Sequence, residues 1–151
     1  MLKSAAIVSA AVIAALSAAG GVMAVDREIG REAVIPMASD GHFWALGHTG
    51  AGEIRFLVDT GATRVSLTRE DAERLGIALQ DDAFTEVVRT PSGEVRAAPV
   101  RLDWLAVGPA RVEQVHALVF EDGLGASLLG MSYLARLERF RAEGGSLKLS
   151  G

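Results

Sequence analysis

The sequence predicts a mostly-β, barrel-like single domain with two short helices, behind an apolar N-terminal segment. Three observations carry this. The 151 residues hold many short apolar or alternating runs, parted at close spacing by turns rich in Gly, Pro and Asp. Helix signals are confined to two brief stretches, one after Thr68 and one after Gly130. One run, Phe56-Leu57-Val58, delivers a carboxylate into the turn Asp59-Thr60-Gly61-Ala62-Thr63, the kind of place where a domain presents its chemistry.

Composition narrows the possible functions. Charged residues make up 23% of the chain, the two signs are interspersed, and the formal net charge is -4. No basic face emerges, so a nucleic-acid partner is not expected. Cysteine is absent, which removes disulfides, thiolate catalysis and cysteine metal sites together. His42, His48 and His116 come without a carboxylate-rich helical motif, so neither a metal nor another cofactor is implied. Ser66, Ser92 and Ser127 lack a Gly-x-Ser-x-Gly setting, which argues against a serine hydrolase.

Residues 1–24 read as a signal peptide or a membrane anchor. Lys3 is the sole charge before Asp26, an Ala-rich apolar run follows, and Val22-Met23-Ala24 offers the small residues that a signal peptidase reads. The run is only marginally hydrophobic, which favours cleavage after Ala24 over anchoring. Both alternatives put the domain outside the cytoplasm, periplasmic or secreted, with membrane association retained only if the segment stays.

The elements then follow in order. Residues 25–40 form a linker ending in an edge strand, Ala33 to Met37, where Pro36 forbids a central position. Strands over His42–Gly47 and Glu53–Val58, joined through Thr49-Gly50-Ala51-Gly52, make a hairpin that feeds the Asp59 turn. Arg64 to Leu67 is the next strand. Thr68 caps a helix with Glu70 and Asp71 in its first turn, Ala72 and Leu75 on its apolar side and Gly76 at its end. Phe84–Arg89 and Glu94–Val107 are strands flanking Thr90-Pro91-Ser92-Gly93, the second bent at Pro99 with Val100, Leu102 and Trp104 on one face. Gly108-Pro109 turns the chain into Arg111–Phe120, with Val112, His116 and Leu118 on one parity and Val115, Ala117 and Val119 on the other. A Gly-rich loop leads to Leu128-Leu129-Gly130, a helix over Met131–Leu137 and two closing strands near Glu138–Arg141 and Ser146–Leu149. Trp44 and Trp104 are expected in the core. The basic stretch Arg136 to Arg141 is expected as a solvated helix end.

Three features, in this order, resemble the retropepsin-like family of single-lobed aspartic proteases, in its bacterial exported or membrane-linked branch. Leu57-Val58-Asp59-Thr60-Gly61-Ala62-Thr63 is similar to the family's catalytic loop. Pro91-Ser92-Gly93 occupies the place of its flap tip, and Leu128-Leu129-Gly130 is similar to the apolar element threaded beside that loop. The resemblance covers residues 41–151 and implies a single-lobed acid-protease barrel. By resemblance Asp59 is catalytic, and Thr60, Gly61, Ala62 and Thr63 support the loop. Pro91, Ser92 and Gly93 would close over an extended peptide. Thr63-Arg64 departs from the acidic residues that viral members carry at these positions. Peptide hydrolysis without metal or thiol needs two apposed carboxylates sharing a proton. The chain holds one Asp-Thr-Gly and no second Asp-Thr-Gly or Asp-Ser-Gly, so a two-fold symmetric homodimer is expected. The alternative is a catalytically silent domain of the same fold that dimerises or binds peptides.

Overall fold

A computed structural model of the protein describes residues 31–151; the leader expected at residues 1–24 lies outside the described residues. In chain order the strands are β1 (Glu32–Pro36), β2 (Trp44–Thr49), β3 (Gly52–Val58), β4 (Val65–Leu67), β5 (Glu86–Thr90), β6 (Gly93–Val107), β7 (Ala110–Phe120), β8 (Leu128–Leu129), β9 (Arg139–Glu143) and β10 (Ser146–Ser150). Helix α1 (Arg69–Arg74) follows β4, a 3-10 turn spans Asp81–Ala83, and α2 (Met131–Leu134) follows β8. The larger sheet runs β2-β3-β8-β4-β7-β6-β5, and a further pairing of β2 with β6, His48 opposite Ala106, closes it into a barrel. That closure leaves β5 outside the ring, bonded among the described residues to β6 alone. The smaller sheet is β1-β10-β9. No helix among the described residues is long and apolar enough to cross a membrane.

The local signals act as their chemistry requires. Thr68 accepts a hydrogen bond from the Asp71 N–H at 3.1 Å and starts α1, and Gly76 takes a left-handed φ of 74° beyond its end. Pro36 lies in β1, which among the described residues pairs only with β10. Pro99 sits in the long β6 just past Ala97, the last residue of β6 that pairs with β5. Its missing N–H therefore withdraws nothing from β5.

The main core is built from Phe56, Val65, Leu67, Leu105, Val119, Leu129, Tyr133, Leu134 and Leu149, all buried. Each such side chain contributes about 1.5–3 kcal/mol relative to exposure. Tyr133 is the chain's one tyrosine. Its hydroxyl donates to the Ala110 carbonyl at 2.6 Å, and burial pushes the phenol up to about 12. Tyrosinate absorbance should therefore appear near pH 12 in the native protein and about two units lower in the unfolded chain. Because the folded pKa is raised, this contribution to stability is complete below the unfolded value and is lost as pH climbs towards the folded one. A native titration midpoint near 10 would contradict the burial.

Several expectations are corrected. On β6, Ala98, Val100 and Leu102 face the main core, but beyond Asp103 that role passes to Leu105 and Val107. On β7 it passes likewise from Ala110 and Val112 to Val115, Ala117 and Val119. Gln114, opposite Asp103 on the register between Leu102↔Val115 and Trp104↔Glu113, has a φ of 50°. The twisted pair thus changes its inward face there, and a single parity does not hold along either strand. Trp104 consequently lies half-buried under the Arg111 guanidinium, 4.0 Å from its ring. Trp44 is half-buried too, with Arg55 over its ring and its indole N–H donating to Asp40 at 2.9 Å. Neither tryptophan is a core residue. Helix α2 stops at Leu134, and Arg139 to Arg141 belong to the exposed strand β9 rather than to a helix end. The closing strand expected near Glu138–Arg141 is the element that forms, paired with β10.

Candidate active site

The Asp59 turn is held by its own hydrogen bonds and by β8 beneath it. Within the turn, the Gly61 N–H donates to Asp59 Oδ1 at 2.8 Å and the Ala62 N–H to the Asp59 carbonyl at 3.2 Å. This Asx-type turn aims the carboxyl and leaves Thr60 and Gly61 exposed at the tip. Beneath the turn runs β8, parallel to β3 (Leu57↔Leu128, Val58↔Leu129) and antiparallel to β4 (Ser66↔Leu128). The Asp59 N–H donates to the Leu129 carbonyl at 3.2 Å, and the Met131 N–H to the Ala62 carbonyl at 2.8 Å. Gly130 sits so close that an added Cβ would lie 2.2 Å from the Arg64 carbonyl oxygen. The backbone crossing at this point needs a residue without a side chain.

Three side chains that the sequence did not single out for this purpose complete the support. The Ser132 hydroxyl accepts from the Val65 N–H at 2.8 Å and donates to the His116 carbonyl at 2.7 Å, tying α2 to both flanking strands. The Ser127 hydroxyl accepts from the Thr68 N–H at 3.1 Å and donates to the Asp71 carboxylate, which also pairs with Arg74. Asp71 and Ser127 are buried. Replacing Asp71 with Ala strands the Ser127 hydroxyl, and a loss of roughly 1–3 kcal/mol in chemical denaturation is expected. An unchanged denaturation midpoint would refute the role of this network.

Over the loop stands the β5–β6 hairpin. Its two-residue tip is Pro91-Ser92, with Thr90 paired to Gly93 and the Thr90 hydroxyl donating to the Gly93 carbonyl at 2.8 Å. Gly93 takes a φ of 130°, which suits glycine. A separate apolar cluster of Ala97, Leu118 and Phe120, with Val88, Val95 and Leu124 against it, lies under the hairpin. Between hairpin and loop is a groove of about 690 Å³. Asp59, Gly61, Ala62, Thr63, Pro91, Ser92 and Leu128 all line it, so the structure brings these expected residues to one place. Thr60 faces elsewhere, into a second cavity of about 380 Å³ that Asp59 also lines, together with Phe140 and Leu147. Leu129 is buried under the loop, and Gly93 lies just outside the groove. Across the groove, Arg64 forks onto Glu86 with its two terminal guanidinium nitrogens, which holds the Glu86 carboxyl below its usual range.

A barrel with β8 threaded under an Asp-Thr-Gly turn and a hairpin above it defines an acid-protease type of domain. The chain belongs to the retropepsin-like aspartic protease family. The aspartyl protease family model matches residues 46–133. A crystal structure of a retropepsin-like aspartic protease from Rickettsia conorii superposes with a TM-score of 0.71 at 37% identity, covering 78% of this chain and 89% of that one. The EIAV protease, complexed with the inhibitor HBY-793, shares the fold at a TM-score of 0.51 and 17% identity, over 61% of this chain and 84% of that one. Two uncharacterised proteins are each 38% identical. One, in the cobV 5′ region of a Sinorhizobium species, matches over 82% of this chain and 54% of its own length. The other, from Rickettsia prowazekii, matches over 77% of this chain and 49% of its own. The chain thus spans about half the length of these two relatives.

Proposed function

We propose that the protein is an aspartic endopeptidase whose site is completed by a second copy of the chain. The Asp59 carboxyls of the two chains would meet at a two-fold axis and share one proton, because like charges so close do not both ionise. The ionised carboxylate takes a proton from water, and the water attacks the peptide carbonyl. The neutral carboxyl protonates the carbonyl oxygen to give a tetrahedral diol. The proton taken from water then passes to the amine, the C–N bond breaks, and a diol hydroxyl returns its proton to the other carboxylate, restoring the pair. The pair titrates as a unit. One observation carries this proposal. Asp59 stands in a 690 Å³ groove beneath a hairpin, with its turn clamped by β8 on the far side. An extended peptide would lie along the hairpin by strand-like main-chain bonds. Val87, Val88, Phe120 and Leu124 would receive its apolar side chains. The exposed Thr60, beside the second cavity, would hydrogen-bond to the mate's loop.

The test is cleavage of a peptide library by the purified chain beside its Asp59→Asn variant, with sedimentation of both. Cuts by the wild type alone, from a dimer, support the proposal. Dimers in which neither protein cuts would replace it with a silent peptide-binding or dimerisation module. With residues 1–24 as a leader, the domain acts outside the cytoplasm; fractionation of the tagged full chain checks this.

A further inference from the structure

We propose that Arg64 and Glu86 are positioning residues that set the base of the hairpin relative to the catalytic turn and thereby control peptide binding. The inference rests on the protease function proposed above. Strand β5 lies outside the barrel closure and, among the described residues, pairs only with β6, so the larger sheet holds it from one side. Glu86 is its first residue, at the root of the hairpin, opposite Ala97. On the other side of the groove, Arg64 ends the Asp59 turn and has a firmly held backbone. Its carbonyl packs against Gly130 and accepts from the Ser66 hydroxyl at 3.3 Å, and the next N–H is taken by Ser132. A side chain rooted in a held backbone therefore reaches across the groove and grips the edge strand of the hairpin. Among the described residues this fork is the side-chain hydrogen-bonded link between residues 59–64 and the hairpin.

The geometry of the pair suits that task. A guanidinium and a carboxylate joined by two parallel bonds resist both rotation and sliding, which a single contact to Lys would not. Both side chains remain about one-third exposed, at 36% and 34%. The bond therefore competes with water and can be modest in strength, which suits a hinge more than a core clamp. Arg64 also accounts for the departure from the acidic pattern after Ala62: a basic residue here answers the acid on β5.

The experiment compares wild type, Glu86→Gln and the charge swap Arg64→Glu/Glu86→Arg in the full chain. Hydrogen–deuterium exchange over Glu86–Thr90 reads the hairpin and needs no turnover, so its outcome is independent of whether the chain proves to be a protease. Glu86→Gln should speed exchange there and raise KM on a good library peptide, each by roughly three- to tenfold, with kcat within about twofold. The swap should return both most of the way to wild type, with thermal midpoints alike in all three. Unchanged exchange in Glu86→Gln overturns the proposal. So does a loss in kcat alone, or a defect that the swap leaves unrepaired.

Discussion

Replacing Asp59 with Asn should lower peptide cleavage by roughly a thousandfold or more while leaving fold and assembly intact. The amide is nearly the size of the carboxyl, and its oxygen can still accept the Gly61 N–H that Asp59 Oδ1 accepts at 2.8 Å. The turn and its bonds to β8 involve the backbone and are untouched. What disappears is the exchangeable proton, which an amide neither takes from water nor gives to a carbonyl oxygen. Circular dichroism, thermal midpoint and sedimentation should therefore match the wild type. A mixing experiment separates a shared site from two independent ones. With equal amounts of wild type and variant and free subunit exchange, roughly a quarter of the dimers carry two Asp59 carboxyls. Activity should then fall to about half of what simple dilution leaves. Activity that follows dilution alone would mean that each chain works by itself, and retained cleavage by the variant would remove Asp59 from the chemistry.

Gly130→Ala is expected to be the most damaging small substitution in the domain. The new methyl would lie 2.2 Å from the Arg64 carbonyl oxygen, 2.6 Å from its carbon and 2.7 Å from the Ala62 carbonyl oxygen. All three atoms are backbone, and all belong to the Asp59 turn or its end, so no side chain can swing away. Relief requires β8 to withdraw from between β3 and β4, breaking the bonds from Asp59 to Leu129 and from Met131 to Ala62. A loss of about 3 kcal/mol or more follows, a fall in Tm of roughly 10 °C or greater. Gly125→Ala is the control, because a Cβ there meets nothing within 4 Å. Its Tm should stay within about 2 °C of wild type. Equal behaviour of the two variants would show that the backbone crossing at Gly130 has room for a methyl group.

Much of the domain was legible in the sequence because its signals are local. Alternation and turn residues placed the strands to within a few positions, Thr68 marked the start of α1, and Thr90-Pro91-Ser92-Gly93 marked the hairpin tip. Asp59-Thr60-Gly61 and its apolar approach, with the later Leu128-Leu129-Gly130, pointed to the family because they are short motifs readable as strings, although what makes Gly130 necessary is the distant Arg64 carbonyl. The tertiary structure decided matters that depend on distant partners. Whether Ser132 serves the helix or the Val65 N–H depends on a strand 67 residues away. Whether Arg64 is a solvated charge depends on Glu86, which reaches it only after the hairpin has folded back. The change of inward face at Asp103 and Gln114 comes from two strands twisting together, so alternation read on either one misplaced Trp104. Short motifs record what the backbone must do locally, whereas burial and hydrogen-bond partners are properties of the closed barrel as a whole.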